Sequence, residues 1–247
     1  MPAAPDFDPV AVGRRLLRQA RTAALATLAR RTGHPFGSMV TMACEPDGTP
    51  VILLSGLAAH SRNLAEDPRA SLLLEDRTVG DPQQAARITV VGAVERIDGE
   101  AEPIARRRYL TRNPDAALYA GFGDFAFHRL VVEDAHLVAG FGRAVRIRRE
   151  DLLLDPAATE PLRHAEPGLL AHLGEDPARL ARLAARLAPD LAAVGWSAVG
   201  LDPEGLDLAT TSDENRAFRR LVLPRFATSE KDFETLLAEW EESGSMQ

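Results

Sequence analysis

A chain of 247 residues, 45% hydrophobic and 26% charged, carries enough apolar surface for one large core or two modest ones and has ordinary globular composition. Its formal net charge of −7 argues against a general nucleic-acid binder, because neutralising phosphates takes clustered Lys and Arg, and lysine occurs once, at Lys231. No apolar run nears the roughly 18 residues of a membrane span and the first residues lack a leader's apolar stretch, so a soluble cytoplasmic protein is expected.

In chain order, Pro9 to Leu28 has helical spacing of Val10, Val12, Leu16, Leu17, Ala20 and Ala24, although its tail, Thr22 to Leu28, suits a strand equally. Ser38–Ala43 and Val51–Ser55 form a hairpin around Pro46-Asp47-Gly48, which supplies a fixed φ and a permissive glycine. Cys44, the sole cysteine, forms no intrachain disulfide and no cysteine-based zinc site, and reads as a buried, inert thiol. After the hairpin comes Gly56–Leu64, a short helix that Asp67-Pro68 closes. His60, Ser61, Arg62 and Asn63 gather at its start, where free N–H groups and the positive end of the dipole receive an anion, above all phosphate.

Arg87–Ile97 reads as a strand, with Gly92 marking a bend or a close backbone approach. A helix from Asp98 to about Thr111 stops at Asn113-Pro114, and a second short one covers Asp115–Ala120. Phe125–Val132 and Leu137–Ile147 read as another strand pair, and Phe122, Phe125 and Phe127 as fillers of a core, an interface or a ligand pocket. Six or so strands with inserted helices, and no long crossover helices, fit a small closed barrel rather than a doubly wound sheet.

Beyond about Glu150 the character changes, with Asp155-Pro156 and Glu160-Pro161 breaking periodicity. Helices are expected over Gly168–Gly174 and Pro177–Leu187, and a hairpin over Trp196–Leu201 and Leu206–Thr210. A third strand follows at Phe218–Leu223, then a helix over Ser229–Trp240 capped by Ser229. The fold class is α+β in two domains, residues 1–150 and 151–247.

This order resembles the FMN-binding split-barrel family, which includes pyridoxamine 5′-phosphate oxidases and HugZ-type haem-utilisation proteins. The resemblance implies an N-terminal split β-barrel with flanking helices, and a homodimer with the flavin at the subunit interface. It sets Ser38, Met39 and Val40 along the flavin ring and Leu54 and Ser55 at the end of the paired strand. His60, beside Arg62 and Asn63, takes the place of a basic phosphate ligand. The run Phe141-Gly142-Arg143-Ala144 is similar to a late glycine–arginine motif of the family, in which Arg143 reaches the flavin or a substrate anion, across the dimer interface if need be. In the second domain, His172-Leu173-Gly174-Glu175-Asp176-Pro177 is similar to an H-M-N-E-D-H motif of HugZ-type proteins, with Gly174 for the asparagine and Pro177 for the second histidine.

The activity so implied is that of an FMN-dependent oxidoreductase that binds or oxidatively degrades haem, with His128, His172 and also His136 as candidate axial ligands. Pyridoxamine 5′-phosphate oxidation is an alternative, but Trp240 does not sit in the Trp- and Arg-rich ending of those oxidases. A non-catalytic flavin- or tetrapyrrole-binding module is another, favoured by Pro177. Small-molecule binding is expected, with no nucleic acid and no membrane. No zinc motif, GxSxG, Walker loop or GxGxxG fingerprint occurs, and no side chain stands out as a general acid or base.

Overall fold

The computed structural model describes residues 7–76, 79–81, 83–140, 143–191, 195–211 and 216–243. Helix α1 (Pro9–Gln19) begins where the Asp8 carboxylate accepts from the N–H groups of Val10 and Ala11, with Pro9 in the first turn. The helix ends there rather than at Leu28. Thr22–Leu28 is strand β1, in which Ala23, Leu25 and Thr27 turn inward at a period of two. Then follow β2 (Pro35–Cys44), β3 (Pro50–Ser55), α2 (Ala59–Leu64), β4 (Arg69–Glu75), β5 (Ala86–Arg96) and α3 (Ala101–Arg112). A 3-10 turn at Pro114–Leu118 replaces the short α-helix expected at Asp115–Ala120. The first unit closes with β6 (Phe125–Ala139), β7 (Ala144–Arg148) and α4 (Arg149–Leu152).

All pairings are antiparallel, in the order β3-β2-β1-β4-β5-β6-β7, and β6 also pairs with β3. Six strands therefore close into a barrel, and β7 pairs with Asp134–Val138 of β6, beyond the stretch that β3 takes. Leu25, Met42, Ile52, Leu72, Ile88 and Leu130 fill the interior with no measurable exposure. The reverse face of β3 and β6 packs Val51, Leu53 and Phe127 against Tyr109 of α3. Burial pushes the Tyr109 phenol up to about 12, against an opposing hydrogen bond with Thr41.

Two strands depart from the sequence pattern. β4 was not anticipated, since RASLLLE has no clean alternation. β6 is one strand of 15 residues, not the ends of two, because Glu133-Asp134 is a bulge and not a turn. Val132 pairs with Gly92 and Asp134 with Val91, so Glu133 is the extra residue. Gly92 is required at that point, since a Cβ there would stand 2.0 Å from the Val131 carbonyl oxygen. The hairpin turn between β2 and β3 uses Gly48 at φ +101°.

The chain divides into two compact units between Leu153 and Leu154. The second holds α5 (Pro156–Gly174), α6 (Pro177–Leu187), β8 (Trp196–Asp202), β9 (Gly205–Thr210), β10 (Phe218–Val222) and α7 (Glu230–Ser243). Its sheet runs β10-β9-β8, and Leu208, Leu221, Phe233 and Leu236 make its core. α5 is far longer than the expected Gly168–Gly174. Pro156 opens it behind the Asp155 cap, and Pro161 and Pro167 are carried inside. Arg220, buried, bridges Asp202 at 2.8 Å and Asp207 at 2.9 Å. Among the described residues no helix is long and apolar enough to cross a membrane.

Candidate functional site

The barrel is split along one edge of β2. Pro35–Thr41 pair with β1, but β3 pairs only with Met42, Ala43 and Cys44 before leaving to join β6. The Met42 N–H donates to the Arg21 carbonyl on the β1 side. Strand alternation then turns the N–H and C=O of Met39 and Gly37 toward the unpaired edge. A flat ligand with donors and acceptors on its rim can meet that edge as a further strand would.

Helix α2 closes the mouth beside this gap. Its residues His60 and Asn63 are three apart and share one face. His60 Nδ1 meets Ser38 Oγ at 3.2 Å, and Asn63 Nδ2 donates to Thr27 Oγ1 at 3.0 Å. Ser38 lies two residues before Val40 and four before Met42, both in the barrel core, so its hydroxyl points inward on β2 as Thr27 does on β1. A polar layer thus caps an apolar interior. The Asn63 Oδ1 accepts the Arg30 N–H at 3.2 Å, so this 5%-exposed amide is committed to the protein on both sides. With only six residues, α2 presents little dipole, and its Ala58 cap makes no side-chain bond. Anion affinity here rests on side chains.

His128 on β6 shares the inward parity of Leu130, and its charge interacts with that of His60. Burial lowers the pKa of both rings; around His128 the Ala126 carbonyl and Asp98 oppose the shift, while Arg96 and His60 reinforce it. His128 Nδ1 lies 3.0 Å from the Ala126 carbonyl, which can only accept. The proton is therefore assigned to Nδ1, which leaves the lone pair on Nε2.

Ser38, Val40 and His60 thus converge on the mouth, Val40 within its apolar lining. Leu54 is buried in the same core. Ser55 donates to Asp124 Oδ2 at 2.6 Å and accepts the Leu57 N–H, which sets the turn into α2. Met39 is 63% exposed on the outer face, in register with Ala24 and, beyond it, Leu73. Arg62 is exposed and donates to the Leu57 carbonyl. Arg143 follows the far end of β6, where its carbonyl accepts from Ala139 and its guanidinium covers Phe7. At about 3.3 Å per residue, a 15-residue strand sets it far from His60 within one copy. Phe141 and Gly142 lie outside the described residues. His136 is exposed on β6, and His172, exposed on α5, sits 3.5 Å from Glu175. Thr27 and Asp124 escaped the sequence reading because each contributes only through a distant partner.

The family model "CREG, beta-barrel" matches residues 6–153. The non-canonical haem oxygenase HOZ of Arabidopsis thaliana chloroplasts is 28% identical over 242 residues, covering 94% of this chain and 73% of that protein. Among solved structures, the protein Atu2129 of Agrobacterium tumefaciens, described as of unknown function, superposes with a TM-score of 0.77 at 33% identity, covering 97% of each chain. A haem-binding protein from Mycobacterium smegmatis superposes with a TM-score of 0.57 at 29% identity, covering 99% of this chain and all of that one. With more than half of its residues matched on a split barrel, the chain belongs to the CREG β-barrel family.

Proposed function

We propose that this chain is an FMN-binding oxidoreductase that binds haem and degrades it oxidatively. The observation that carries the reading is the His60–Ser38 pair set beside the open edge of β2, in a chain aligned over 94% of its length with a haem oxygenase. The residues present fit a flavin in part. Met39 offers backbone groups to the ring, and His60 and Ser38 offer a ring nitrogen and a hydroxyl to a phosphate. Asn63 offers neither of its amide atoms, and Arg143 reaches the site only from a second copy. Bound FMN supplies electron transfer between a reductant and substrate or O₂. The protein's own share is to orient the ring against β2, to keep the mouth dry with its apolar interior, and to hold His128 neutral with Nε2 free for iron.

A homodimer in the cytoplasm goes with this reading, and the exposed Met39, Leu73 and Val91 on the outer face of the barrel support the pairing of two copies. Purified protein should show a flavin absorbance band with added FMN, a Soret band with added haem, and loss of that band with a reductant and O₂. A protein that ignores FMN overturns the flavin reading, and one that ignores haem overturns the haem reading. A Soret band that survives reduction in air selects the non-catalytic binding module, which Pro177 at the start of α6 favours.

A further inference from the structure

Three arginines converge on one groove at the rim of the barrel. Arg30 and Arg31 come from the β1–β2 connection and Arg62 from α2, and with Thr32, Phe36 and Asn63 they line a cavity of about 420 Å³. Arg30 is paired with Glu66 at 2.9 Å. Among the described residues, Arg31 and Arg62 have no carboxylate partner, and Arg62 donates only to the Leu57 carbonyl. Three guanidinium groups therefore face one carboxylate, in a chain whose net charge is −7. Like charges held together in a concave site repel one another and favour an anion there.

The groove is also built in advance. The buried Asn63 holds Thr27 Oγ1 and the Arg30 N–H at once, which ties the connection that carries Arg31 to the helix that carries Arg62. Phe36, 37% exposed, gives the cavity an aromatic wall. Forked cations beside an aromatic face suit a flat apolar body with anionic groups on one edge. Two guanidiniums without carboxylate partners can receive two carboxylates, and the aromatic wall adds a face for a flat macrocycle.

We propose that this groove receives the propionate edge of a tetrapyrrole, with Arg31 and Arg62 on the carboxylates and Phe36 against the ring. The assignment rests on the haem reading and names the contacts that orient haem at the mouth. A flavin phosphate is the other source of the same anion chemistry, and the experiment separates the two. The wild-type protein and the double variant Arg31→Ala/Arg62→Ala are titrated with ferric haem and with its dimethyl ester, followed by Soret absorbance. The same pair is titrated with FMN and with riboflavin, followed by flavin fluorescence. Both arginines are exposed, so the variant is expected to fold, and an unchanged melting temperature verifies it.

Wild-type protein should prefer haem to its ester. The double variant should lose about 10- to 100-fold in haem affinity, the worth of one charge-assisted hydrogen bond or more, while its affinity for the ester stays put. The ratio of FMN to riboflavin affinity should change far less than the ratio of haem to ester affinity. A variant that still prefers haem to its ester overturns the groove assignment and leaves the haem reading standing. A change confined to the FMN-to-riboflavin ratio overturns it in favour of phosphate. Wild-type protein that binds neither porphyrin removes the haem reading and this assignment together.

Discussion

Ser38 Oγ and His60 Nδ1 stand 3.2 Å apart, and this contact, with the Asn63–Thr27 bond one helical turn on, seats α2 across the barrel mouth. Replacing Ser38 with Ala removes one partner of the imidazole and one hydroxyl from the proposed phosphate site. FMN affinity should fall about tenfold, corresponding to roughly 1–1.5 kcal/mol for a neutral hydrogen bond. A fluorescence titration of FMN reads the change, and riboflavin affinity should move less.

The two desolvated histidines give the fold a direction of pH dependence. Burial holds both folded pKa values below the ordinary imidazole value of 6.5. Between the folded and unfolded values the unfolded chain binds more protons, so the stabilisation is present above pH 6.5 and is lost as the pH falls toward the folded values. Asp67 and Asp232 are held at about 2 by Arg69 and Arg225, so their own losses belong to more acid solution. The melting temperature should drop from pH 7.5 to about pH 5, and His60→Gln/His128→Gln should flatten that drop. A slope equal to wild type in the double variant would assign it to other groups.

Asn63→Ala leaves the Thr27 hydroxyl and the Arg30 N–H without their partner. A loss of about 1–3 kcal/mol in a urea titration is expected, the cost of unsatisfied groups at a buried position. Hydrogen exchange should quicken in the β1–β2 connection and in α2 while β5 and β6 remain protected.

Gly92→Ala drives a Cβ to 2.0 Å from a backbone carbonyl, where no flexible side chain can yield. The β5–β6 ladder must shift, and soluble yield and melting temperature should both fall, by about 3 kcal/mol or more in stability. Gly13→Ala is a useful contrast, since its new Cβ meets only side-chain methyl groups, at 3.0–3.2 Å, and should cost less.

In the second unit, Arg220→Met removes the buried guanidinium that bridges Asp202 and Asp207. Breaking such a network from one side costs about 3–5 kcal/mol. Thermal unfolding of the intact chain should show an earlier transition for that unit, and the flavin titration should stay unchanged.

Much of the barrel was legible because its strands carry a period. The β2–β3 hairpin was marked by Pro46-Asp47-Gly48, and the kink of β5 by Gly92. What failed did so for identifiable reasons. Thr22–Leu28 reads as helix or strand until its neighbours choose, and β4 has three consecutive leucines that hide which face is buried. Glu133-Asp134 looks like a turn because a bulge and a reversal use the same polar residues. The prolines in α5 read as breaks, although the helix carries them. At the site, His60 stood out by its context. Asn63 carried no sign that it would face inward, since that depends on the phase of a six-residue helix. The arginines of the groove gave no such signal, since Arg30 and Arg31 sit in a tight turn and meet Arg62 only through the fold.

Strand β6 also dictates an order of events. Its seam with β3 joins Ser55 to Phe125, so closing the ring must organise the whole intervening chain, whereas the β1–β2 and β6–β7 pairings need only short excursions. The local hairpins should therefore assemble early and the ring shut late. Because Asp124, which anchors Ser55 and the approach to α2, sits at that seam, the mouth is finished only when the last strand docks.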